Sequence, residues 1–260
     1  MYRRVAVKVG SNVLTRSDGT LDITRMSALV DQLADLRRRG VEVILVSSGA
    51  VASGRSEMHL PASETEQMDG VEQRQLFSAV GQAKLMGRYV ELFRDHGIHV
   101  GQVLTTKENF STPRQNENQR QCMTAMLSHG VLPIVNENDT VCVTELMFTD
   151  NDELSGLIAQ LMGCDALIIL SNVDGLYTGN PKEAASRVIR EVHQGEDIAQ
   201  FIRSDERSSA GRGGMDSKCL TAQTVTAAGI HVYIANGKRE NVLTDLLSQP
   251  DSIPFTHFLP

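Results

Sequence analysis

The chain has 260 residues, 41% of them apolar and 22% charged, which is typical of a soluble globular enzyme. Its formal net charge of −7 argues against nucleic acid or an anionic membrane surface as the main partner. No apolar run approaches the roughly 20 residues of a membrane span. A strand pattern begins within five residues of the N-terminus, so we expect no signal peptide.

The four cysteines show no paired spacing and lie in apolar surroundings. Because disulfides are rare in the cytoplasm, we expect four reduced thiols in the core of a cytoplasmic protein. They are Cys122, Cys142, Cys164 and Cys219.

Apolar strand-like runs alternate with helical patterns along almost the whole chain. The predicted strands are residues 5–9, 41–46, 98–104, 131–135, 166–170 and 230–235. The predicted helices are residues 26–39, 72–95, 114–128, 151–162, 217–228 and 241–247. This alternation predicts an α/β protein, a three-layer α/β/α sandwich with a central, mostly parallel sheet. We expect a single domain over residues 1–260, with the polar segments 56–70 and 206–214 as surface loops.

The stretch 131–151 carries two clusters of carboxylate and amide side chains. Asn136-Glu137-Asn138-Asp139 follows the predicted strand 131–135, and Asp150-Asn151-Asp152 opens the next helical pattern. Ligands of open α/β sheets bind beyond the carboxyl ends of the strands. Two polar-capped loops are the alternative, but two clusters around one strand–loop–helix unit favour a binding site.

Lys8 lies inside the first predicted strand and is followed by Gly10. A buried lysine is costly unless its ammonium group reaches a partner, and the glycine allows a ligand to approach the backbone. The pattern favours a functional lysine over one that extends to solvent at a sheet edge.

Two glycine-containing turns precede helices and offer free N–H groups for an anion. One is Ser47-Ser48-Gly49-Ala50, and the other is the segment 211–217, which Lys218 follows. The second is not a Walker A loop, because no Gly-Lys-Ser/Thr follows the glycines. The segment at Asp174-Gly175 is an Asp-Gly turn, and this pattern favours a structural role over a role in binding.

Two lysines, two anion sites and several carboxylates are therefore expected at one edge of the sheet. This combination suits phosphoryl transfer, in which positioning and charge stabilisation dominate. The sequence offers no obvious general base, and a carboxylate acceptor needs none, because its pKa of about 4.3 leaves it ionised.

These segments together resemble the amino acid kinase family, over residues 3–247. The resemblance rests on Lys8-Val9-Gly10-Ser11, Ser47-Ser48-Gly49-Ala50, Asn136-Glu137-Asn138-Asp139, Asp150-Asn151-Asp152, Asp174-Gly175-Leu176-Tyr177-Thr178 and Gly213-Gly214-Met215 with Lys218. Within the family, the two polar clusters are similar to those of members that phosphorylate L-glutamate.

The resemblance implies ATP, Mg²⁺ and L-glutamate as ligands and L-glutamyl 5-phosphate as product, the first step of proline biosynthesis. It also implies inhibition by proline, a homodimer or tetramer, and a cytoplasmic enzyme. Lys8 and Lys218 would hold the transferring phosphoryl group, with Asp150 orienting both lysines. Ser48, Asp139 and Asn151 would bind glutamate. The nucleotide would contact Lys8, Ser171, Asn172, Arg212, Gly213, Gly214, Met215, Asp216, Ser217 and Lys218.

The sequence departs from the family pattern in two places. Ser171-Asn172 stands where Thr-Asp is frequent. Many members carry a C-terminal domain of the pseudouridine-synthase type (PUA), which we do not expect in a chain that stops at Pro260. The alternatives are a kinase acting on UMP or isopentenyl phosphate, and a non-catalytic nucleotide-binding sensor on the same fold.

Overall fold

The computed structural model describes residues 2–142, 148, 150–202 and 214–260. Its strands are β1 Arg4–Val9, β2 Glu42–Ser47, β3 Val100–Thr105, β4 Leu132–Glu137, β5 Ala166–Ser171, β6 Glu191–Val192, β7 His231–Asn236 and β8 Phe255–Phe258. Its helices are α1 Ser11–Leu14, α2 Ile23–Arg38, α3 Ala50–Met58, α4 Ala62–Thr65, α5 Gly70–Arg94, α6 Pro113–Ser128, α7 Asn151–Leu161, α8 Met215–Thr226 and α9 Val242–Ser248.

The strands form one sheet in the order β3-β4-β2-β1-β5-β7-β8-β6. Neighbouring strands from β3 to β7 are parallel, whereas β8 is antiparallel to β7 and pairs in parallel with β6. The predicted mostly parallel sheet is therefore confirmed, and the six predicted strands lie within two residues of the observed ones. The short strands β6 and β8 were not predicted.

Alternate residues of β1 face two different layers of the core. Val5, Val7 and Val9 pack with α2, α5 and α9 on one side of the sheet. Ala6 packs with α7 and α8 on the other side. The two cores make the predicted three-layer sandwich, because side chains alternate between the faces of a strand. By the same alternation, Lys8 faces the layer that contains α7 and α8.

The central strand β1 lies between β2, which follows it in the chain, and β5, which comes much later. The strand order reverses at this point. Crevices for ligands form at such switch points, beyond the carboxyl ends of the strands.

Helices α3 and α5 contact each other backbone to backbone through two glycines. A Cβ atom at Gly54 would lie 1.8 Å from the Phe77 carbonyl oxygen, and one at Gly81 would lie 1.8 Å from the Ala50 carbonyl oxygen. Only glycine permits this approach. The contact fixes the start of α3, where the Ser48-Gly49 turn ends, against the middle of α5.

Two expectations from the sequence are wrong, and a third concerns residues that the structure mostly does not describe. The segment 56–70 is not a plain loop, because it contains the end of α3 and all of α4. Cys122 is exposed on α6, so only the other three thiols belong to the core. The predicted loop 206–214 lies outside the described residues except for Gly214. In the described ranges, no helix is long and apolar enough to cross a membrane.

Candidate active site

A cleft of about 810 Å³ opens at the carboxyl ends of β1, β2, β4 and β5. Side chains from both polar clusters, from β1 and from α8 line it. The predicted site residues that line the cleft are Lys8, Ser48, Asp139, Asp150, Asn151, Ser171, Asn172 and Lys218. Residues that are far apart in the chain therefore meet at the switch point of the sheet.

Two lysines share one buried carboxylate at the base of the cleft. Lys8 Nζ lies 2.7 Å from Asp152 Oδ1, and Lys218 Nζ lies 2.9 Å from Asp152 Oδ2. The two lysines are 5% and 7% exposed, and Asp152 is fully buried. Lys218 Nζ also donates to the Gly214 carbonyl at 3.3 Å. This arrangement holds two ammonium groups side by side with a single negative charge behind them.

The charge of Asp152 is maintained by its two partners. Burial alone would raise the pKa of this carboxyl group, but the positive charges of Lys8 and Lys218 outweigh burial and lower the pKa overall. The carboxylate is therefore ionised, and the cluster has a net charge of about +1 facing the cleft. A cluster of that sign suits phosphate oxygens.

Asp150 does not orient the lysines as we expected. It is the N-cap of α7, and its Oδ1 accepts hydrogen bonds from the backbone N–H groups of Asp152 and Glu153 at 2.8 and 3.1 Å. The N-cap side chain bends back to its own helix, whereas Asp152, two residues later, extends toward β1 and α8. Burial and the nearby charge of Asp152 raise the pKa of Asp150.

The second part of the cleft is a hydrogen-bonded network around Asn151. Asn151 Nδ2 donates to Ser48 Oγ at 2.9 Å, to Asn136 Oδ1 at 2.9 Å and to the Ser47 carbonyl at 3.3 Å. These bonds tie the turn after β2 to the polar segment that ends β4. The structure thus brings Ser48 and Asn151 together, as the sequence predicts.

Asp139 lies on the same side of the cleft in a different electrostatic environment. It is 8% exposed, and its ion-pair partner among the described residues is Arg74, with Nη1 at 3.6 Å from Oδ1. Burial and the neighbouring Glu137 raise the pKa of Asp139 to about 7, although Arg74 opposes the shift. Glu137 is itself 6% exposed, and burial raises its pKa. This site holds more acid than base, which favours a cationic ligand group.

The residues predicted to contact the nucleotide fall into two groups. Ser171 ends β5 and is 6% exposed, and Asn172 follows it at the cleft. Gly214 is the N-cap of α8, whose first turn contains Met215, Asp216, Ser217 and Lys218. Arg212 and Gly213 lie outside the described residues.

The Asp174-Gly175 turn has the structural role that the sequence favours. Asp174 Oδ1 accepts hydrogen bonds from Arg239 Nε at 2.8 Å and from Asn236 Nδ2 at 3.1 Å. A Cβ atom at Gly175 would lie 2.5 Å from Thr256 Oγ1. The turn therefore joins β5 to the antiparallel edge of the sheet.

Several lining residues were not singled out from the sequence. The cleft also contains Arg16, Arg55, His59 and Arg74, and Gln82 hydrogen-bonds to Asn136 from α5. None of them belongs to a local motif, so no sequence signal marks them. Asp152 belongs to the cluster at 150–152, but its contact with the lysines was not predicted. The preference of aspartate for the N-cap position could have assigned Asp150 to the helix start, which leaves Asp152 to reach the lysines.

Similarity to known proteins identifies the family of this chain. A sequence model of the amino acid kinase family matches residues 3–236, and the chain belongs to that family. It is 64% identical over 259 residues to glutamate 5-kinase of Bacteroides thetaiotaomicron, covering 100% of this chain and 71% of the relative. Glutamate 5-kinase of Chlorobaculum tepidum is 47% identical, over 94% of this chain and 66% of the relative. That of Clostridium acetobutylicum is 38% identical, over 94% and 91%.

Solved structures share the fold at much lower identity. A carbamate kinase from Giardia lamblia bound to AMP-PNP gives a TM-score of 0.69 at 16% identity, covering 99% of this chain and 98% of that one. A UMP kinase from Bacillus anthracis gives 0.68 at 16% identity, covering 99% and 96%. These likenesses concern the fold alone.

Proposed function

We propose that the protein transfers the γ-phosphoryl group of ATP to the side-chain carboxylate of L-glutamate, making L-glutamyl 5-phosphate for proline biosynthesis. The observation that carries the proposal is the pair of buried lysines on Asp152, in the same cleft as the acid-rich pocket at Asp139. The identities of 64%, 47% and 38% to proteins named glutamate 5-kinase support the choice of acceptor.

Lys8 and Lys218 would hold the transferring phosphoryl group. Its transition state spreads negative charge over the equatorial oxygens, and two ammonium groups fixed in advance stabilise that charge without reorganisation. Asp152 touches the lysines rather than a substrate, so it is a positioning residue.

Glutamate would bind on the opposite side of the cleft. The Asp139 carboxylate suits its ammonium group, while the Ser48 hydroxyl and neighbouring backbone N–H groups suit a carboxylate. Asn151, hydrogen-bonded to Ser48, would contact glutamate between these two. The attacking carboxylate oxygen is already ionised at neutral pH. It forms a bond to the γ-phosphorus while the bond from that phosphorus to the ADP oxygen breaks.

The nucleotide would lie along the end of β5 and the start of α8. Ser171 and Asn172 line the cleft there, and the N-terminus of α8 is electropositive. Met215, Asp216 and Ser217 belong to the first turn of this helix. Arg212, Gly213 and Gly214 would contact the nucleotide by the family resemblance.

A magnesium ion would accompany ATP, and the cleft fits this arrangement. Mg²⁺ usually binds through one or two carboxylates and the substrate phosphates. Within the described ranges, no group of three His, Cys, Asp or Glu side chains could hold a metal by itself. Asp150 is 7% exposed and lines the cleft, and its carboxyl group would contribute one oxygen. When bound, the ion would neutralise charge on the phosphates.

An acceptor panel tests the proposal against the rival kinases. Hydroxylamine converts an acyl phosphate into a coloured hydroxamate, whereas phosphorylation of UMP yields UDP. We expect L-glutamate to be well ahead of L-aspartate, N-acetylglutamate, UMP and isopentenyl phosphate. Loss of the charged α-amino group should cost roughly 10²–10⁴ in kcat/KM, since it leaves the buried, acid-rich pocket at Asp139 without its cationic ligand. UDP formation without hydroxamate would overturn the assignment.

Inhibition by proline, assembly into a dimer or tetramer, and a cytoplasmic location complete the proposal through the family resemblance. Proline added to the hydroxamate assay tests the first. Light scattering on the purified chain tests the second. Fluorescence microscopy of the tagged protein in cells tests the third.

A further inference from the structure

A row of three amides connects α5 to the acceptor part of the cleft. Asn136 Nδ2 donates a 2.9 Å hydrogen bond to Gln82 Oε1, and Asn151 Nδ2 donates a 2.9 Å bond to Asn136 Oδ1. Gln82 and Asn136 are only 8% and 3% exposed. Since water hardly reaches these groups, Asn136 Nδ2 depends on Gln82 as its partner. Asn136 Oδ1 also accepts a 2.9 Å bond from the Glu137 backbone N–H.

The hydrogen bonds fix the direction in which every amide points. A side-chain amide donates from its nitrogen and accepts at its oxygen. The Gln82 oxygen and the Glu137 backbone N–H together turn the Asn136 nitrogen toward α5 and the Asn136 oxygen toward Asn151. Asn151 then turns its nitrogen inward to Asn136 and Ser48. Its Oδ1 has no hydrogen bond among the described residues, and Asn151 lines the cleft.

The position of Gln82 is set by the close contact of α5 with α3. Gly81 lies so near the Ala50 carbonyl that a Cβ atom there would be 1.8 Å from its oxygen. Gln82 is the next residue, so the backbone contact fixes how far its side chain reaches toward β4. The same contact supports the turn that contains Ser48.

We propose that Gln82 is a positioning residue of the acceptor site, acting through Asn136 to direct the carbonyl oxygen of Asn151 toward the ammonium group of the amino acid. This inference rests on the proposed function. It assigns to a residue of α5, outside the cleft lining, a share in the recognition of the acceptor.

The variant Gln82→Met keeps the length of the side chain and removes the accepting oxygen. The KM for glutamate should rise on the order of tenfold, as for one lost buried hydrogen bond. The KM for ATP and kcat should stay within about twofold, because the lysine cluster is untouched. Gln32→Met is the matched control. Gln32 is 5% exposed and accepts a 2.8 Å bond from the Leu243 backbone N–H. It lies on the same side of the sheet as Gln82 but outside the cleft lining, so its loss should lower stability and leave the glutamate KM unchanged.

A double-mutant cycle separates positioning from a general loss of structure. If Gln82 acts through Asn151, Gln82→Met should add little to the glutamate KM of Asn151→Ala. Fully additive effects would overturn the inference, as would an equal rise in the KM values for ATP and glutamate.

A second variant and the activity of the wild type keep the test decisive. Gln82→Glu retains an accepting oxygen when its buried carboxyl group is protonated, and it should keep the glutamate KM near that of the wild type. It serves as the test if Gln82→Met does not fold, and a tenfold rise there would count against the inference. A wild-type protein that forms no glutamyl hydroxamate overturns the proposed function and the inference together. An active wild type with an unchanged KM in Gln82→Met overturns the inference alone.

Discussion

Two buried aspartates of the same cleft, Asp152 and Asp139, have opposite electrostatic environments. Asp152 lies between two ammonium groups at 2.7 and 2.9 Å, and its pKa is lowered. Asp139 lies beside Glu137, with Arg74 at 3.6 Å, and its pKa is raised to about 7. The charge of Asp152 is more than neutralised by the protein itself, because two lysines contact it. The Asp139 site becomes balanced when a ligand brings a positive charge.

The difference explains how one cleft can hold a phosphoryl group and an amino acid. The shift of Asp139 from its usual 3.8 to about 7 corresponds to roughly 4 kcal/mol. Between pH 3.8 and about 7, the unfolded chain loses the Asp139 proton while the folded protein keeps it. The ligand-free folded protein therefore becomes less stable as the pH rises through this range. An ammonium group would offset this loss of stability on binding, which couples substrate recognition to stability.

The largest effect is expected for Asp152→Ala. The substitution removes the buried negative charge that both lysines contact, which costs about 3–5 kcal/mol. We expect a clear fall in melting temperature and a loss of kcat on the order of 10² to 10³. The exposed Asp251→Ala is a control for general effects. Near-normal kcat in Asp152→Ala would show that the lysines need no anchor.

The next effect is expected for Lys8→Ala and Lys218→Ala. Each should lower kcat by on the order of 10² or more, the usual result of losing one donor to the transition state. The other lysine still neutralises Asp152, so both variants should unfold at higher temperatures than Asp152→Ala. Unchanged turnover in either variant contradicts its role at the phosphoryl group.

Asp139→Asn should change activity less than the lysine variants do, and it should raise the stability of the protein rather than lower it. The variant loses the partner of the substrate ammonium, so the glutamate KM should rise by on the order of tenfold to a hundredfold, with a small change in kcat. Without glutamate, it should be more stable than the wild type at pH 8, because a buried like-charge pair is relieved. Denaturant unfolding with and without glutamate measures both effects. A destabilised ligand-free variant would contradict the comparison.

The smallest effect is the pH dependence of glutamate binding. Below pH 7 Asp139 is protonated and pairs poorly with an ammonium group, so the glutamate KM should fall as pH rises through about 7 and then level off. The KM for ATP should not follow this profile in the same range. The dependence should disappear in Asp139→Asn, and its persistence there would assign the titration to another group.

Much of the fold could be predicted because the buried parallel strands are continuous apolar runs. Residues 166–170 and 230–235 show this clearly, and both became strands of the parallel part of the sheet. The short strands β6 and β8, of two and four residues, are too short to give a pattern. A helix was expected after the Ser48-Gly49 turn, but no bounds could be given for α3, because Gly54 interrupts its helical pattern. That glycine is explained by the approach of α5.

The sequence predicts which residues lie at the site more accurately than it predicts which of them contact each other. The sequence identifies Lys8, Lys218 and the cluster at 150–152, and the structure brings them together. Which carboxylate meets the lysines depends on the direction of each side chain at the helix start. Asp150 is engaged by its own helix, so Asp152 is the one that reaches across. Arg74 and Gln82 contribute through tertiary contacts, and nothing near them in the sequence could reveal this.

The glycine contact between α3 and α5 has a consequence for attempts to change the acceptor by directed evolution. A library that randomises positions 54 and 81 should return glycine at both, whatever substrate is used for selection, because any Cβ atom would overlap a backbone group. Arg55 and His59 line the cleft on and just beyond the same helix, and both already carry a Cβ atom. The left-handed backbone of His59, with φ of 48°, disfavours β-branched residues at that position. Libraries should therefore vary these two positions and keep both glycines fixed, so that new preferences arise on an unchanged scaffold.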